Sequence, residues 1–468
     1  MASKPPLIIP VENQVREFDA KLLLALVAAK RGFPAILGSR LEIDFRIGSF
    51  PRGIYLSKSM TARSLKMFRI MRLLGHQIAA WDEEALVHMQ PKTYFTRRLS
   101  KEAIQYVSHL FAWGQENAEL WRQYPHLPEN TPIHIAGNPR GDLLRPELHA
   151  YYEQEVQKLT DRYGDFILIN TNFSNVNAFV PSLNLFMPVE NPGETTRFGR
   201  GAVGMDRKFA EGLRDFKQAV FEDIKNVIPA LENVFPDFSI IVRPHPTENP
   251  QVYRDIANTC KQVEVTNEGN VVPWIMAAKA LVHNSCTTGI EAYIMGVPAV
   301  SYMATRDEYY DLGYYKLPNR MSHQCFSFRE LQETLGKIFA GELGPAKGDE
   351  RKRLLEYYLT AQNGRMACER IVDVLEGIIG DRAELPATPL QEQLIGRYRA
   401  LRRRFVKWRK SFQSGSKYQP EFQRHRYPGL TMDQLHERLA RFQHVLGDKT
   451  KLKTEQISDY IFRISTDP

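Results

Sequence analysis

The residues best suited to chemistry lie in Val242-Arg-Pro-His-Pro-Thr, directly after the apolar run Phe238-Ser-Ile-Ile. Pro244 and Pro246 restrict the backbone on both sides of His245, so an imidazole is held where a strand ends. A fixed donor or cation there can neutralise a phosphate leaving group, and Arg243 could add a forked, permanent charge. About forty residues later, Leu281-Val-His-Asn-Ser-Cys-Thr-Thr-Gly-Ile-Glu-Ala reads as strand, polar turn and helix start. Ser285, Thr287 and Thr288 bring hydroxyls to that turn, and the helix start adds N–H groups at its positive end, an arrangement that favours an anion. Glu291, one turn further, could accept hydrogen bonds from ribose hydroxyls. The plainer readings are a strand ending in a surface histidine and an ordinary Ser/Thr helix cap.

Three consecutive acids follow a fourth apolar run in Trp81-Asp82-Glu83-Glu84. A carboxylate there could deprotonate an acceptor hydroxyl in an inverting transfer, or attack an anomeric carbon in a retaining one. Extended backbone would turn Asp82 and Glu84 to one side and Glu83 to the other, and the sequence does not rank the three. Glu12 and Arg16, in Glu12-Asn-Gln-Val-Arg-Glu, could bind acceptor or a sugar carboxylate; an i,i+4 pair at a helix start is the alternative. Asn170 and Asn172, in Asn170-Thr-Asn-Phe, stand at the corresponding point of the second half and could contact a donor. There is no Walker loop, no Gly-x-Gly-x-x-Gly and no Asp-x-Asp in a convincing metal setting. No metal and no separate cofactor is expected.

These segments need elements to position them. Apolar runs at 7–11, 34–38, 53–56, 77–81, 109–113 and 133–137 alternate with helical stretches at about 18–30 and 61–74. A charged helical stretch from 147 to 163 leads to a second series at 166–170, 238–243, 263–265, 280–283 and 297–302. Strands alternating with helices predict parallel sheets covered on both faces. The predicted organisation is a Rossmann-like acceptor domain at 1–150, a Rossmann-like donor domain at 151–380 and a basic helical tail at 381–468. The candidate residues then fall beyond the carboxyl ends of strands, where such sheets bind ligands. A cleft between the two domains is the expected site. The stretch 175–205, rich in Pro, Gly and Asn, predicts a long functional loop.

A His-Pro motif after one strand, followed by a Ser/Thr pair opening a later helix, resembles bacterial GT-B transferases that use cytidine nucleotide donors. Among these are bacterial sialyltransferases, the Kdo transferases of capsule and lipopolysaccharide and, more remotely, teichoic-acid CDP-glycerol transferases. Gly137-Asn-Pro-Arg-Gly-Asp, containing Arg140, resembles the Gly-x-Pro-Arg-x-Asp turn of the last group. Residues 5 to about 380 are similar to the surface carbohydrate biosynthesis proteins through Ile9-Pro-Val-Glu-Asn-Gln-Val-Arg-Glu-Phe-Asp-Ala-Lys, Pro51-Arg-Gly-Ile-Tyr-Leu, Ala80-Trp-Asp-Glu-Glu, Phe111-Ala-Trp-Gly and Ile167-Leu-Ile-Asn-Thr-Asn-Phe. The resemblance implies a GT-B fold and a metal-independent glycosyltransferase. It implies a donor phosphate held by His245, Ser285, Thr287 and Thr288, with Pro246 among the donor-binding residues, and an acidic base among Asp82, Glu83 and Glu84. Cys286 interrupts what is elsewhere a direct hydroxyl pair.

With 62 Lys and Arg against 54 Asp and Glu, the net charge of +8 favours anionic partners, and much of the excess sits near the C-terminus. From Leu394 to Phe412 an apolar stripe (Leu394, Tyr398, Leu401, Phe405, Trp408, Phe412) runs among Arg397, Arg399, Arg402, Arg403, Arg404, Lys407, Arg409 and Lys410. Such a helix reads either as membrane-surface binding or as a helix packed on the protein with a solvated basic face. No run approaches the roughly 20 apolar residues of a membrane span. The N-terminus lacks a signal peptide's apolar core, and Cys260, Cys286, Cys325 and Cys368 form no close pair. The expectation is a cytoplasmic protein, peripheral at the inner membrane if the helix docks there.

The expected activity is transfer of Kdo or a related ulosonic acid from a CMP-linked nucleotide sugar to an oligosaccharide acceptor of lipopolysaccharide or capsule. That acceptor could be lipid-linked; no nucleic acid is expected as partner, and the oligomeric state stays open. The alternatives are a CDP-polyol phosphotransferase of teichoic-acid type and a non-enzymatic, membrane- or polyanion-associated assembly protein.

Overall fold

The computed structural model describes residues 4–88, 90–189, 196–311, 316–380, 384–413, 416 and 418–466. The chain is α/β and divides into two units. Unit 1 comprises Met1–Leu86, Pro91–Tyr151 and Arg353–Pro468; unit 2 comprises Val87–Gln90 and Tyr152–Lys352.

Unit 1 is built on β1 (Leu7–Val11), β2 (Ala35–Ser39), β3 (Ile54–Ser57), β4 (Gln77–Ala80), β5 (His109–Ala112) and β6 (Ile133–Ile135). Unit 2 carries β7 (Phe166–Asn170), β8 (Ser239–Arg243), β9 (Val263–Val265), β10 (Ala280–His283), β11 (Ala299–Tyr302) and β12 (His323–Cys325). A hairpin, β13 (Leu452–Ser458) and β14 (Ile461–Thr466), closes the chain. The first sheet runs β13-β14-β2-β1-β3-β4-β5-β6 and the second β12-β11-β10-β7-β8-β9. All pairs are parallel except β13–β14 and β14–β2. β1, β3 and β7 are buried along their whole length, as strands covered on both faces must be. The second core gathers Ile167, Ile169, Ile240, Val242, Val282 and Val300 from the strands against Phe221, Ile224 and Ile228 of the helix Arg207–Val234.

The expected helical tail at 381–468 is corrected in one respect. Its helices Leu390–Ser411 and Met432–Val445 are present, but the segment belongs to unit 1 and ends in strands rather than helix. β14 pairs with β2 (Phe462 opposite Leu37), and Ile461, Phe462 and Ile464 are fully buried. Gly38 allows this, because a Cβ there would lie 2.1 Å from the Tyr460 carbonyl oxygen. Gln14 and Gly429 exchange two 2.9 Å hydrogen bonds, and the Phe442 ring stacks on Tyr151 at 3.8 Å. The charged stretch at 147–163 also differs: it is a 3-10 turn at Pro146–Tyr152 followed by the helix Glu153–Tyr163. The long loop at 175–205 contains only short 3-10 turns at Pro181–Leu183 and Arg200–Ala202 within its described residues.

One buried histidine shapes the turn after β10. His283 Nδ1 accepts the Cys286 N–H at 3.2 Å, which leaves the proton on Nε2 to be donated to Ser322 Oγ at 2.8 Å. Ser322 in turn donates to the Pro318 carbonyl. Gly289 leaves room for the ring, since a Cβ at that position would meet His283 Nε2 at 2.4 Å. Burial pushes the imidazole down to about 3, so it is neutral in the fold.

Two predictions follow from this packing. Phe462→Ala should lower the stability of unit 1 by about 3–5 kcal/mol, the usual cost of emptying a buried aromatic site; denaturant unfolding measures it, and a change under ~1 kcal/mol would mean that the hairpin is dispensable. In unit 2, an unfolded histidine takes up a proton near pH 6.5 while His283 resists until about 3. Its stabilising contribution is complete above 6.5 and is lost as the pH falls toward 3, at up to about 1.4 kcal/mol per pH unit. His283→Asn, which keeps an acceptor for Cys286, should flatten the decline in melting temperature between pH 6.5 and 4.

Candidate functional site

In unit 2 the chain leaves β7 on one side through β8 and β9, and on the other through β10, β11 and β12. β7 and β10 therefore border the point where strand order reverses, and such sheets bind ligands beyond the carboxyl ends of the strands at that point. Asn170 ends β7 and pairs in register with His283, which ends β10. Asn284, Ser285, Cys286 and Thr287 make the turn into the helix Thr288–Met295. Ser285 takes a left-handed φ of 62°, unusual for a residue with a side chain.

Three buried polar side chains at this switch point make incomplete or no hydrogen bonds within the protein. Both amide atoms of Asn170, Oδ1 of Asn284 and Oγ1 of Thr288 lack a partner, although the residues are only 4%, 6% and 8% exposed. Each such atom costs about 1–3 kcal/mol if nothing else satisfies it. They gather at the switch point, where sheets of this kind bind ligands. Asn172, Ser285 and Thr287 are half-buried in the same two turns, and Glu291 is buried one turn into the helix. Thr287 sits at the N-cap but makes no side-chain capping bond. The expected supply of backbone N–H groups is smaller than the sequence suggested. Those of Cys286, Gly289, Ile290 and Glu291 are already engaged by His283, Cys286 and Thr287.

His245 follows β8, on the other side of β7. Its Nδ1 accepts the Thr247 N–H at 3.3 Å and lies 2.8 Å from Thr247 Oγ1 and 3.3 Å from Ser174 Oγ. Because a backbone N–H can only donate, the neutral ring carries its proton on Nε2. The His245 N–H donates to Glu248 Oε1 at 3.1 Å, and that buried carboxylate also receives Tyr253 and Thr171 hydroxyls. Burial raises the Glu248 carboxyl above its ordinary value even against these donors. Pro246 is half-buried beside the ring. With strands ~4.8 Å apart, the ends of β8 and β10 lie about 10 Å from each other across β7. That separation suits a phosphate together with its ribose better than two contacts to one oxygen.

Arg243 is not available in the way the sequence suggested. Its guanidinium donates to the Glu268 and Gly269 carbonyls at 2.8 and 3.2 Å and lies 4.7 Å from the centre of the Trp274 ring. Burial lowers it to about 9. It braces the 266–270 loop, because a strand-end side chain buried on this side meets carbonyls before solvent.

Unit 1 has its own switch point between β1 and β3, with order β2-β1-β3-β4. Glu12 follows β1 and Lys58 follows β3, and their side chains meet at 3.0 Å. Arg40 and Arg426 also reach Glu12, at 3.2 and 2.8 Å. Burial alone would raise the Glu12 carboxyl, but Lys58, Arg40 and Arg426 outweigh it and hold the group well below its ordinary range. Glu17, fully buried, pairs with Lys21 and Lys58 at 2.6 Å each.

The three acids after β4 lie in a turn, with Ala85 N–H bonded to the Asp82 carbonyl, so strand alternation does not apply to them. Asp82 is buried and receives the Tyr94 hydroxyl and a fork from Arg98. Glu83 is buried and receives Trp81 Nε1 at 2.6 Å. Only Glu84 keeps substantial side-chain exposure, 39%, and it pairs with Arg16 at 3.1 Å. Burial would raise its carboxyl; Arg16, Arg98, Lys58 and Arg140 bring it down to about 2. Lys58 thus pairs with Glu12 and Glu17, while Glu84, paired with Arg16, lies in the field of Arg98, Lys58 and Arg140. The sequence reading missed Lys58 although it follows a strand just as Glu12 does, and it missed Asn284, Ser174 and Thr247. Arg426 had no local signal at all.

The Gly137-Asn-Pro-Arg-Gly-Asp turn has a structural explanation. Both Asp142 oxygens accept backbone N–H groups at the start of the helix Ala367–Ile379, from Ala367 at 2.7 Å and Cys368 at 2.9 Å. Burial, stronger than these bonds, raises the Asp142 carboxyl to about 6.

No family model matches the sequence, and no curated protein does; the resemblance to surface carbohydrate biosynthesis proteins is therefore not accompanied by a family assignment. Among solved structures, the chain is similar to the wall teichoic acid polymerase TagF in its H444N form with CDPG, at 12% identity, 82% coverage of this chain, 91% of that chain and a TM-score of 0.49. It is similar to the UDP-GlcNAc 2-epimerase of Methanocaldococcus jannaschii in complex with UDP-GlcNAc and UDP, at 13% identity, 80% and 99% coverage and a TM-score of 0.45. A further UDP-N-acetylglucosamine 2-epimerase gives 13%, 83%, 100% and 0.48. These are likenesses of general architecture; the two parallel-rich sheets follow from this chain's own strand order.

Proposed function

We propose that this chain is a metal-independent glycosyltransferase that takes Kdo or a related ulosonic acid from its CMP-activated donor and passes it to an oligosaccharide acceptor of a bacterial surface polysaccharide. The observation that carries this reading is the set of buried, unpartnered polar atoms of Asn170, Asn284 and Thr288 at the unit 2 switch point, with His245 at the adjoining strand end. The amides and hydroxyl complete their hydrogen bonds on the nucleotide. His245, its tautomer fixed by Thr247, donates from Nε2 to the phosphate. Ser285, Thr287 and Asn172 line the same turns, and Glu291 is one helical turn away.

In the transfer, the acceptor oxygen forms a bond to the anomeric carbon while the bond from that carbon to the phosphate oxygen breaks. CMP departs with the bonding electrons, and the acceptor proton passes to a carboxylate. Glu84 is the one of the three acids that solvent reaches, and it is ionised at any pH near neutrality. A carboxylate that weak is sufficient where the transition state resembles an oxocarbenium ion, because the attacking hydroxyl becomes strongly acidic as it bonds. Arg16 and Arg140 supply cations for the sugar's carboxylate, and Glu12 is the remaining acceptor-binding candidate of that cluster. Polyol-phosphate transfer from a CDP-alcohol has less support, since the turn that suggested it caps a helix through Asp142.

Nucleotide choice is tested by thermal shift with CMP, CDP, UDP and GDP. CMP should stabilise selectively, by about 2.7 kcal/mol at 100 times its Kd, and Thr288→Val should reduce the shift; a preference for UDP or GDP would remove the CMP donor. His245→Ala should lower kcat by about 100- to 1000-fold with the melting temperature unchanged. Near wild-type turnover in that variant would exclude His245 from leaving-group stabilisation. Glu84→Gln and Asp82→Asn separate base from scaffold. The first should abolish turnover in a stable protein, whereas the second should destabilise by about 3–5 kcal/mol by breaking a buried pair.

A further inference from the structure

The helix Leu390–Ser411 packs on unit 1 with the face opposite to the one its sequence pattern would bury. Gly396, Ala400 and Lys407 are buried, and Arg403 and Lys407 reach Asp44 at 3.2 and 3.6 Å. The contacts are to the helices Arg40–Arg46 and Leu65–Leu73 and to the turn Ile47–Ser49. A Cβ on Gly396 would stand 3.0 Å from Leu74, so the approach is close. Leu394, Tyr398, Leu401, Phe405, Trp408 and, at the C-cap, Phe412 are each more than half exposed.

At 3.6 residues per turn these six side chains fall within an arc of about 80°, roughly opposite the packed face. Arg397 and Arg404 flank the arc on one side and Arg402 and Arg409 on the other, all exposed. Within the helix the acidic residue is Glu392 alone. Among the described residues no helix is long and apolar enough to cross a membrane. A cavity of about 710 Å³ adjoins the stripe and continues its chemistry, lined by Phe45, Leu401, Phe405, Trp408 and Tyr427 with Arg404 and Arg424.

We infer that this helix docks unit 1 onto an anionic phospholipid surface, lying in the plane of the interface. The apolar stripe enters the boundary between headgroups and acyl chains, and the flanking guanidinium groups meet lipid phosphates. Charge complementarity selects this occupant. A second copy of the helix would set the flanking arginines against one another, and a nucleic acid offers nothing to Leu394 and Leu401. The inference stands apart from the nucleotide reading, because it uses no residue of that site.

Co-sedimentation of the full chain with vesicles of phosphatidylcholine, with and without phosphatidylglycerol, tests it. The chain should bind the phosphatidylglycerol vesicles far more tightly, and salt should weaken the binding. Arg397→Gln, Arg402→Gln, Arg404→Gln and Arg409→Gln should each reduce partitioning about fivefold. The double variant Phe405→Ser, Trp408→Ser alters only exposed side chains and should lose vesicle binding with an unchanged circular dichroism spectrum. Three results would overturn the inference: no binding to phosphatidylglycerol vesicles, binding indifferent to the double variant (simple polyanion adhesion), or a lipid-free dimer that the double variant dissolves.

Discussion

A parallel sheet whose chain departs from one strand in both directions has a topological switch point at the carboxyl end of that strand, the place where such sheets take ligands. In unit 2 this strand is β7, with β8 on one side and β10 on the other. The turn residues after all three strands therefore come to adjoining strand ends. The candidate site depends on that topological fact. It explains why Asn170, His245 and Asn284, remote in sequence, come to neighbouring strand ends. It also places the buried, unpartnered polar atoms of Asn170, Asn284 and Thr288 at and just beyond adjoining strand ends.

Rigidity of the site comes from side chains that do no chemistry. His283 is neutral and wholly buried, and it determines the path of the turn by accepting one N–H and donating to one hydroxyl. Glu248 does the equivalent for His245, holding its backbone while Tyr253 and Thr171 satisfy the remaining oxygen sites. In unit 1 the same task falls to ion pairs. Glu12 and Glu17 carry a desolvation cost that burial alone would settle by protonation; Lys58 with Arg40 and Arg426 reverses the balance at Glu12, and Lys21 with Lys58 does so at Glu17. Such clusters add little net stability compared with apolar packing, but removing a single partner leaves an uncompensated charge. Glu84 and Arg16, half-buried, pair with each other at 3.1 Å.

The sequence made the strands legible because parallel strands are short apolar runs between turns, and eleven of the first twelve were read within a residue or two. β12, His323-Gln-Cys, is too short and too polar to register. The hairpin β13–β14 was hidden for another reason. Its burial comes from pairing with β2, more than four hundred residues earlier, which local periodicity cannot convey. Site residues followed the same divide. His245, Asn170, Thr288 and Glu84 could be nominated because each follows a strand. The different fate of Asp82 could not, because it depends on Tyr94 and Arg98 arriving from a later helix. Nor could that of Arg243, whose fork is taken by the 266–270 loop.

The basic helix shows the limit of periodicity most sharply. Six large apolar residues at helical spacing ordinarily predict the buried face. Here the buried face is the one with small residues, because Gly396 lets the backbone approach Leu73 and Leu74 and Ala400 packs beside Gly48, where a stripe of Tyr, Phe and Trp would hold it away. Asp44 then binds that orientation by drawing Arg403 and Lys407 inward. Reversing the helix would bury the aromatic stripe but would leave Asp44 6% exposed without its cations, and it would force bulky rings into a gap sized for hydrogen and methyl. Packing and charge therefore agree on the exposed stripe, and the amphipathic pattern describes what the helix offers to its surroundings instead of what holds it to the core.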